Sequence, residues 1–359
     1  MKKLLLATAV AALSVSAAQA APTLYGKAFL AADYVNAEFD GPAGNMYDED
    51  TLEINSHSSN IGVKGSEAIT PNTDIIYRLE YGTSIDGDSN GFKNRDTYLG
   101  VNNKQFGEFR VGKNQSTLDK INNVITADSG YWDNLGQTKN EREVVSALNM
   151  ADSNRIPSSV IWTAPKYDGL PLQLSAMYSS DDANGNDNSG FGVAALFDQG
   201  TGFTAGVAYD KDQNIRGDII RGTATVDLGK FVAAPVTLGA LYQVADYDYD
   251  RSTKKEKGLI VSAQMPLTNF ARPATIYTQY NKTDNLDGFD NADSNQIVVG
   301  GKYFYKNNII AHAYAGMNKA YNVRYTYNDG TGTPSNPVFD TVSGDAEVFV
   351  VGTGLEYKF

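Results

Sequence analysis

In Leu172-Gln173-Leu174-Ser175-Ala176-Met177-Tyr178, Leu172, Leu174, Ala176 and Tyr178 fall on one face of an extended chain, and Gln173, Ser175 and Met177 on the other. A period of two belongs to a β-strand with two unlike faces. The pattern recurs at Phe191, Val193, Ala195 and Phe197, and at Phe203, Ala205, Val207 and Tyr209. It recurs again in Asp74 to Tyr81, where Ile75, Tyr77, Leu79 and Tyr81 oppose Arg78 and Glu80, and the last segment ends on Leu355, Tyr357 and Phe359. These segments are about ten residues long, which is what a tilted strand needs to cross a bilayer.

The connections between segments come in two lengths. Short ones include Glu67 to Thr73, Asn103 to Gly107 and Tyr305 to Asn307. Long, polar and mostly acidic ones include Asp40 to Thr51, Ser84 to Asn94, Ser180 to Ser189, Tyr247 to Lys257, Thr283 to Asp293 and Lys319 to Gly344. Rough alternation of short and long connections is the asymmetry of an outer-membrane barrel. The fold class is therefore all-β, a transmembrane antiparallel β-barrel. Sixteen strands are expected, the first centred near residue 30 and the last near residue 352, with no strand assigned between 40 and 51. Fourteen or eighteen remain open, because Arg216 to Lys230 and Val338 to Val348 alternate weakly. Ile61, Val63, Tyr77, Leu79, Leu174, Val193 and Val207 fit a lipid-facing surface. Asn114 to Asn154 lacks alternation and is read as a loop folded into the barrel, with a short helical piece at Val144 to Met150.

Composition agrees with this class. The chain has 22 tyrosines against 2 tryptophans, and 34 glycines. Tyrosine-rich strands cut by Gly, Asn and Asp turns favour β-structure, and tyrosines also form the girdles at the two membrane interfaces. Residues 1–20 read as a cleaved secretory signal: Lys2 and Lys3, an apolar run from Leu4 to Val15, then Ala18-Gln19-Ala20. Residues 21–359 then form a single barrel domain. Removing the signal changes the formal charge from −12 to −14. That balance argues against nucleic acid, which needs basic patches. It leans toward cation passage, although global charge does not set the field at a narrow point. No later apolar run approaches the length of a membrane helix. With no cysteine in an exported chain, disulfides, thiolate metal sites and cysteine nucleophiles are all excluded.

Five short stretches, in order, make a more specific signature. They are Thr23-Leu-Tyr-Gly-Lys27, Asn60-Ile-Gly-Val-Lys-Gly-Ser-Glu67, Arg95-Asp-Thr-Tyr-Leu-Gly100 followed by Phe106-Gly-Glu-Phe-Arg-Val-Gly-Lys113, Arg155-Ile-Pro-Ser-Ser-Val-Ile-Trp-Thr-Ala-Pro165, and the terminal Gly354-Leu-Glu-Tyr-Lys-Phe359. Together they resemble the general (non-specific) porins of Gram-negative outer membranes. The resemblance is clear over residues 21 to 180 and at the terminus, and only architectural between. It implies a sixteen-stranded barrel, a homotrimer, and a third external loop that folds inward. It further implies a basic wall facing acidic residues on that loop. By motif position, Lys27, Arg95 and Arg155 match the basic wall, and the parity of their neighbours agrees: Tyr98 and Gly100 are opposite to Arg95. Arg78 and Arg110 have inward parity as well. Asn60 stands where many relatives carry arginine, and the family's Pro-Glu-Phe-Gly-Gly loop signature is absent. The acidic partners therefore lie among Asp119, Asp128, Asp133, Glu141 and Glu143, with Asp128 and Asp133 favoured by their place in the loop.

Cations on one wall and anions opposite would set up a transverse field, and charged rings set ion preference. The function expected is passive diffusion of ions and small hydrophilic solutes through a water-filled lumen, without a cofactor. Outer-membrane lipid and lipopolysaccharide are expected partners, the latter through acidic runs such as Asp48 to Asp50, Asp181-Asp182 and Asp246 to Asp250. The alternative is a barrel used as an adhesin or structural protein with a blocked lumen. An enzyme is the remaining class, with His57-Ser58-Ser59-Asn60 as its sole sequence support; His312 sits in an alternating strand as a wall residue. Two isolated histidines do not make a transition-metal site.

Overall fold

The computed structural model describes residues 21–87, 91–127, 130–132, 147–166, 169–180, 189–328 and 339–359. The expected signal segment lies outside them. The strands are β1 (Thr23–Gly41), β2 (Gly44–Ser56), β3 (Asn60–Thr70), β4 (Thr73–Gly82), β5 (Lys93–Asn103) and β6 (Gly107–Gln115). After the long loop come β7 (Arg155–Thr163), β8 (Leu172–Ser179), β9 (Gly190–Asp198), β10 (Phe203–Lys211), β11 (Gly217–Asp227) and β12 (Thr237–Tyr247). The chain ends with β13 (Glu256–Leu267), β14 (Ala274–Asp284), β15 (Asp293–Lys306), β16 (Ile309–Asn328) and β17 (Phe339–Lys358).

Seventeen strands occupy sixteen positions. Thr23–Lys27 of β1 pair with β3, and Leu30–Gly41 of β1 pair with β2. So β2 and β3 are one barrel strand, broken at His57–Ser59, where Ser58 has φ 53°. From β3 onward each strand pairs antiparallel with the next. The sheet then closes where β1 pairs with β17, from Lys27↔Lys358 to Asp40↔Asp345. Phe359 and Gly26 finish the seam with two backbone bonds of 3.0 and 3.1 Å. Closure leaves no strand edge, so backbone polar groups are satisfied within the sheet at membrane depth.

Side chains alternate as the sequence predicts. Leu79, Val193 and Val207 are exposed on the outer surface, with Ser175, Met177 and Ala208 buried inside. Phe106, Phe203, Phe231, Phe270, Tyr305 and Phe359 are exposed near the short-turn end. Tyr34, Tyr178, Phe191, Tyr242, Tyr280 and Tyr321 are exposed toward the other end. Two aromatic rings at the ends of an apolar band are what the membrane interfaces select.

Three expectations are corrected. Asp40 to Thr51 is mostly strand, with the hairpin turning at residues 42–43, and β16 and β17 run deep into the stretch assigned to Lys319–Gly344. Their acidic composition marks strand ends beyond the apolar band, where the outer face turns polar while the inner face still packs, with Phe39, Val323, Tyr325 and Val348 buried in one cluster. The helical piece expected at Val144 to Met150 is absent from its described part, residues 147–150. There the backbone is bonded sideways: Leu148 N–H donates to Asn318 Oδ1 (3.1 Å), and Asn318 Nδ2 donates back to the Leu148 carbonyl (2.9 Å). Short 3₁₀ turns occur instead at Thr117–Ile121 and Gly130–Trp132.

Candidate functional site: a charged wall facing an inward loop

Strands β4 to β7 carry a lattice of charges on their inner face. Arg78 points inward from β4, next to exposed Leu79. Its Nη1 lies 3.2 Å from Asp96 Oδ2. Arg95 Nε donates to Glu80 Oε1 at 2.7 Å, and Arg155 Nε to Asp96 Oδ1 at 3.0 Å. Arg110 is paired with Glu108. Tyr98 is buried between two cations, with Arg110 at 4.7 Å and Arg78 at 5.9 Å from its ring centroid. A cation over an aromatic face is attracted by the ring quadrupole, so Tyr98 spaces the arginines without removing their charge. Tyr25, on β1, donates its hydroxyl to Glu80 Oε2 at 2.8 Å.

The structure thus brings together four of the five predicted basic residues: Arg78, Arg95, Arg110 and Arg155. Lys27 is also inward, but stands on β1 with its ammonium 5.8 Å from the centre of the Phe29 ring. Parity alone does not place Arg95. Tyr98 and Asp96 are buried on the inner side. Arg95 joins them through a bulge, because Leu79 pairs with Thr97 but Tyr81 pairs with Asn94. Glu80 therefore faces both Arg95 and Asp96, as two-against-one pairing allows. Glu80 was legible from its parity with Arg78. Asp96 was hidden, since simple alternation cannot place adjacent Arg95 and Asp96 on one face.

The described parts of the long loop lie against the opposite inner wall. Strands β11 to β16 each contribute an inward polar side chain to it. Arg221 (β11) is fully buried and its Nε donates to Gln243 Oε1 at 2.7 Å. Its terminal nitrogens reach Asn122, the Ala151 carbonyl (3.2 Å) and Asp152 (3.4 Å). Gln243 (β12) also donates to the Ala151 carbonyl (2.7 Å), and Glu256 (β13) accepts from Ala151 N–H (2.9 Å). Gln279 (β14) accepts from Thr126 N–H (2.9 Å), and Gln296 (β15) from Asn149 Nδ2 (2.9 Å). Asn318 (β16) completes the series at Leu148. An irregular segment at membrane depth must pair its backbone groups with protein, and these amides do so.

Apolar contacts lock the same loop. Leu118 and Ile121 pack with Ile219 and Ala245, and Val124 and Met150 pack with Leu241 and Ile260. Trp132 rests on Gly316, where a Cβ would come within 2.6 Å of its ring. Arg221 and this glycine seat were not anticipated from sequence. Arg221 falls in the weakly alternating stretch, and its loop partners are about 70 to 100 positions away in the chain.

Where the loop turns toward the charged wall it presents Asp119 and Lys120. Burial, then Asp152 nearby, pushes the Asp119 carboxyl up from its ordinary value. Burial, then Arg110, lowers the Lys120 ammonium. Asp128 and Asp133, the favoured acidic partners, lie outside the described residues. His57 meets Asp33 (Nε2–Oδ2 2.6 Å), while Ser59 Oγ bonds the Phe29 backbone (3.0 and 3.2 Å). So the suspected His/Ser pair is not assembled as a nucleophile and base through Ser59. His312 is a buried wall residue, 3.3 Å from Glu356.

A closed antiparallel barrel with an apolar exterior, aromatic girdles and a charge-lined interior is an outer-membrane pore architecture. The Gram-negative porin family model matches residues 7–323, and the chain belongs to that family. The major outer membrane protein P.IB of Neisseria meningitidis serogroup B is 27% identical over 329 residues, covering 88% of this chain and 93% of that protein. P.IB of Neisseria gonorrhoeae is 30% identical over 207 residues, and the match spans 57% of this chain and 56% of the gonococcal protein. Among solved structures, the anion-selective porin from Comamonas acidovorans superposes with a TM-score of 0.66 at 16% identity, covering 95% of this chain and all of that one. Salmonella typhi OmpF, in complex with daunomycin, gives 0.62 at 18% identity, covering 94% and 97%. At such identities these two establish the fold alone.

Proposed function

We propose that the chain is a passive diffusion channel of the outer membrane, admitting ions and small hydrophilic solutes without catalysis. The observation that carries this reading is the charged lattice of β4 to β7, set opposite a loop fastened to the other wall. Charges held inside a barrel whose exterior is apolar need water around them, because an outward Lys or Arg at mid-membrane would cost about 2–4 kcal/mol. Among the described residues, Arg78, Arg95, Arg110, Arg155, Lys113 and Lys120 gather against Glu80, Asp96, Glu108 and Asp119. Cations are in excess there, which favours anion passage although the whole chain is acidic. A homotrimer is proposed as the assembled form. Outer-leaflet lipopolysaccharide is the proposed neighbour of the acidic strand ends, through divalent cations.

The test is single-channel recording of residues 21–359 refolded into planar bilayers. Ohmic steps closing in three sublevels are expected, with a reversal potential in a salt gradient that moves toward cation preference in R95Q/R155Q. A folded barrel that shows no steps would replace this reading with a blocked-lumen structural protein. An unmoved reversal potential would remove both arginines from the selective region.

A further inference from the structure

On the external side of the charged lattice lies a recess of about 500 Å³ lined by Asn94, Arg95, Lys113, Asn154, Arg155 and Asn214. Three of these residues are cations, three are carboxamides, and no carboxylate lines the recess. The two arginines are held from behind: Glu80 takes Nε of Arg95 and Asp96 takes Nε of Arg155. Their terminal Nη groups donate no hydrogen bond among the described residues, and the Lys113 ammonium has neither a hydrogen bond nor an ion pair there. Asn214 is fixed in turn, accepting from Asn154 N–H at 2.6 Å and donating to Asp210 at 2.9 Å.

We infer that this recess binds small oxyanions carrying two negative charges, dicarboxylates or inorganic phosphate, ahead of the narrow region. The inference deepens the channel reading and rests on it. A guanidinium fork matches the paired oxygens of carboxylate and phosphate, and it does so at lower entropic cost when its orientation is already fixed. Two forks and an ammonium around one volume suit a dianion better than a single-charged halide, which offers no second oxygen to bridge them. The carboxamides supply neutral donors and acceptors for the remaining polar atoms of such a solute. Lys113 is the residue that separates this site from the ion-paired lattice, since it has no carboxylate of its own.

The experiment titrates sodium succinate, and separately inorganic phosphate, against open channels carrying chloride current. A saturating fall in current is expected for at least one of the two. K113Q should raise the half-saturating concentration about tenfold, the loss of one charge-assisted hydrogen bond, and K113R should restore it. Saturation by succinate alone assigns the site to dicarboxylates, and by phosphate alone to phosphate. A fall without saturation, or the same half-saturation in K113Q, overturns the inference. Calorimetric titration of the detergent-folded protein with the same two anions reads binding without conductance. Channels that never open would defeat the channel reading, whereas open channels with no binding heat would defeat the recess alone.

Discussion

Strands β4 to β7 and strands β11 to β16 line the same lumen with different chemistry. The first wall carries arginines and carboxylates about 3 Å apart, each arginine about a quarter exposed. The second carries mostly amides, with Arg221 fully buried and Glu256 nearly so. The difference follows what each wall faces. The arginines keep part of their solvation beside an aqueous passage, with Glu80 and Asp96 buried beneath them, so the pairs there organise a field. Beside the packed loop, water is excluded and every backbone group requires a partner. Side chains with both donor and acceptor satisfy that without the desolvation cost of an ion.

The packed wall is most sensitive at Arg221. R221A leaves Gln243 Oε1, Asn122 Oδ1 and Asp152 without their donor and is expected to destabilise the folded barrel by about 3 kcal/mol. Unfolding followed by intrinsic fluorescence would measure it, and open-channel current noise should rise as both limbs of the loop loosen. A smaller effect is expected at the glycine seat. G316V inserts atoms where Trp132 lies within 2.6 Å of a built Cβ, and should cost about 1–3 kcal/mol as overpacking does. A red shift of tryptophan emission would report displacement of the ring, and an unchanged spectrum would show that the loop has slack. The smallest change in stability belongs to the charged wall. E80Q keeps the shape of the side chain and an acceptor oxygen for Arg95, so it should cost about 1 kcal/mol, yet move the reversal potential toward anions by leaving the Arg95 charge unbalanced. A large loss of stability with no change in selectivity would mean the two walls are less distinct than their chemistry suggests.

Much of the fold was legible because a barrel writes its geometry into local alternation. Leu172 to Tyr178 announces an outer and an inner face with no knowledge of its neighbours. What escaped the sequence has a common cause. Asp96 depends on a bulge created by pairing with β4. The β1–β2 hairpin hides in acidic sequence because its outer face leaves the lipid for water, while its inner face packs on residues such as Tyr325 that come from far along the chain. Arg221 and Gly316 acquire meaning only from a loop that arrives from the far side of the lumen. Each depends on what lies across a gap in space, and period-two reading reports only the strand itself. Arg95 and Arg155 were legible through motif resemblance, Arg78, Arg110 and Glu80 through parity, and Asp96 only through geometry.

The seam between β1 and β17 has a kinetic consequence. Its paired residues, from Lys27↔Lys358 to Asp40↔Asp345, are more than 300 positions apart in the chain. The other neighbouring pairs are consecutive strands, or, for β1 and β3, strands separated by β2 alone, and can form soon after those strands exist. The seam brings together the two ends of a very long loop, whose entropy must be surrendered before any ladder bond forms in return. Until then the growing sheet carries two open edges, one at each flank, able to accept any foreign strand. Ring closure is therefore the late and committing event of assembly, and the interval before it is when this protein is most exposed to mispairing.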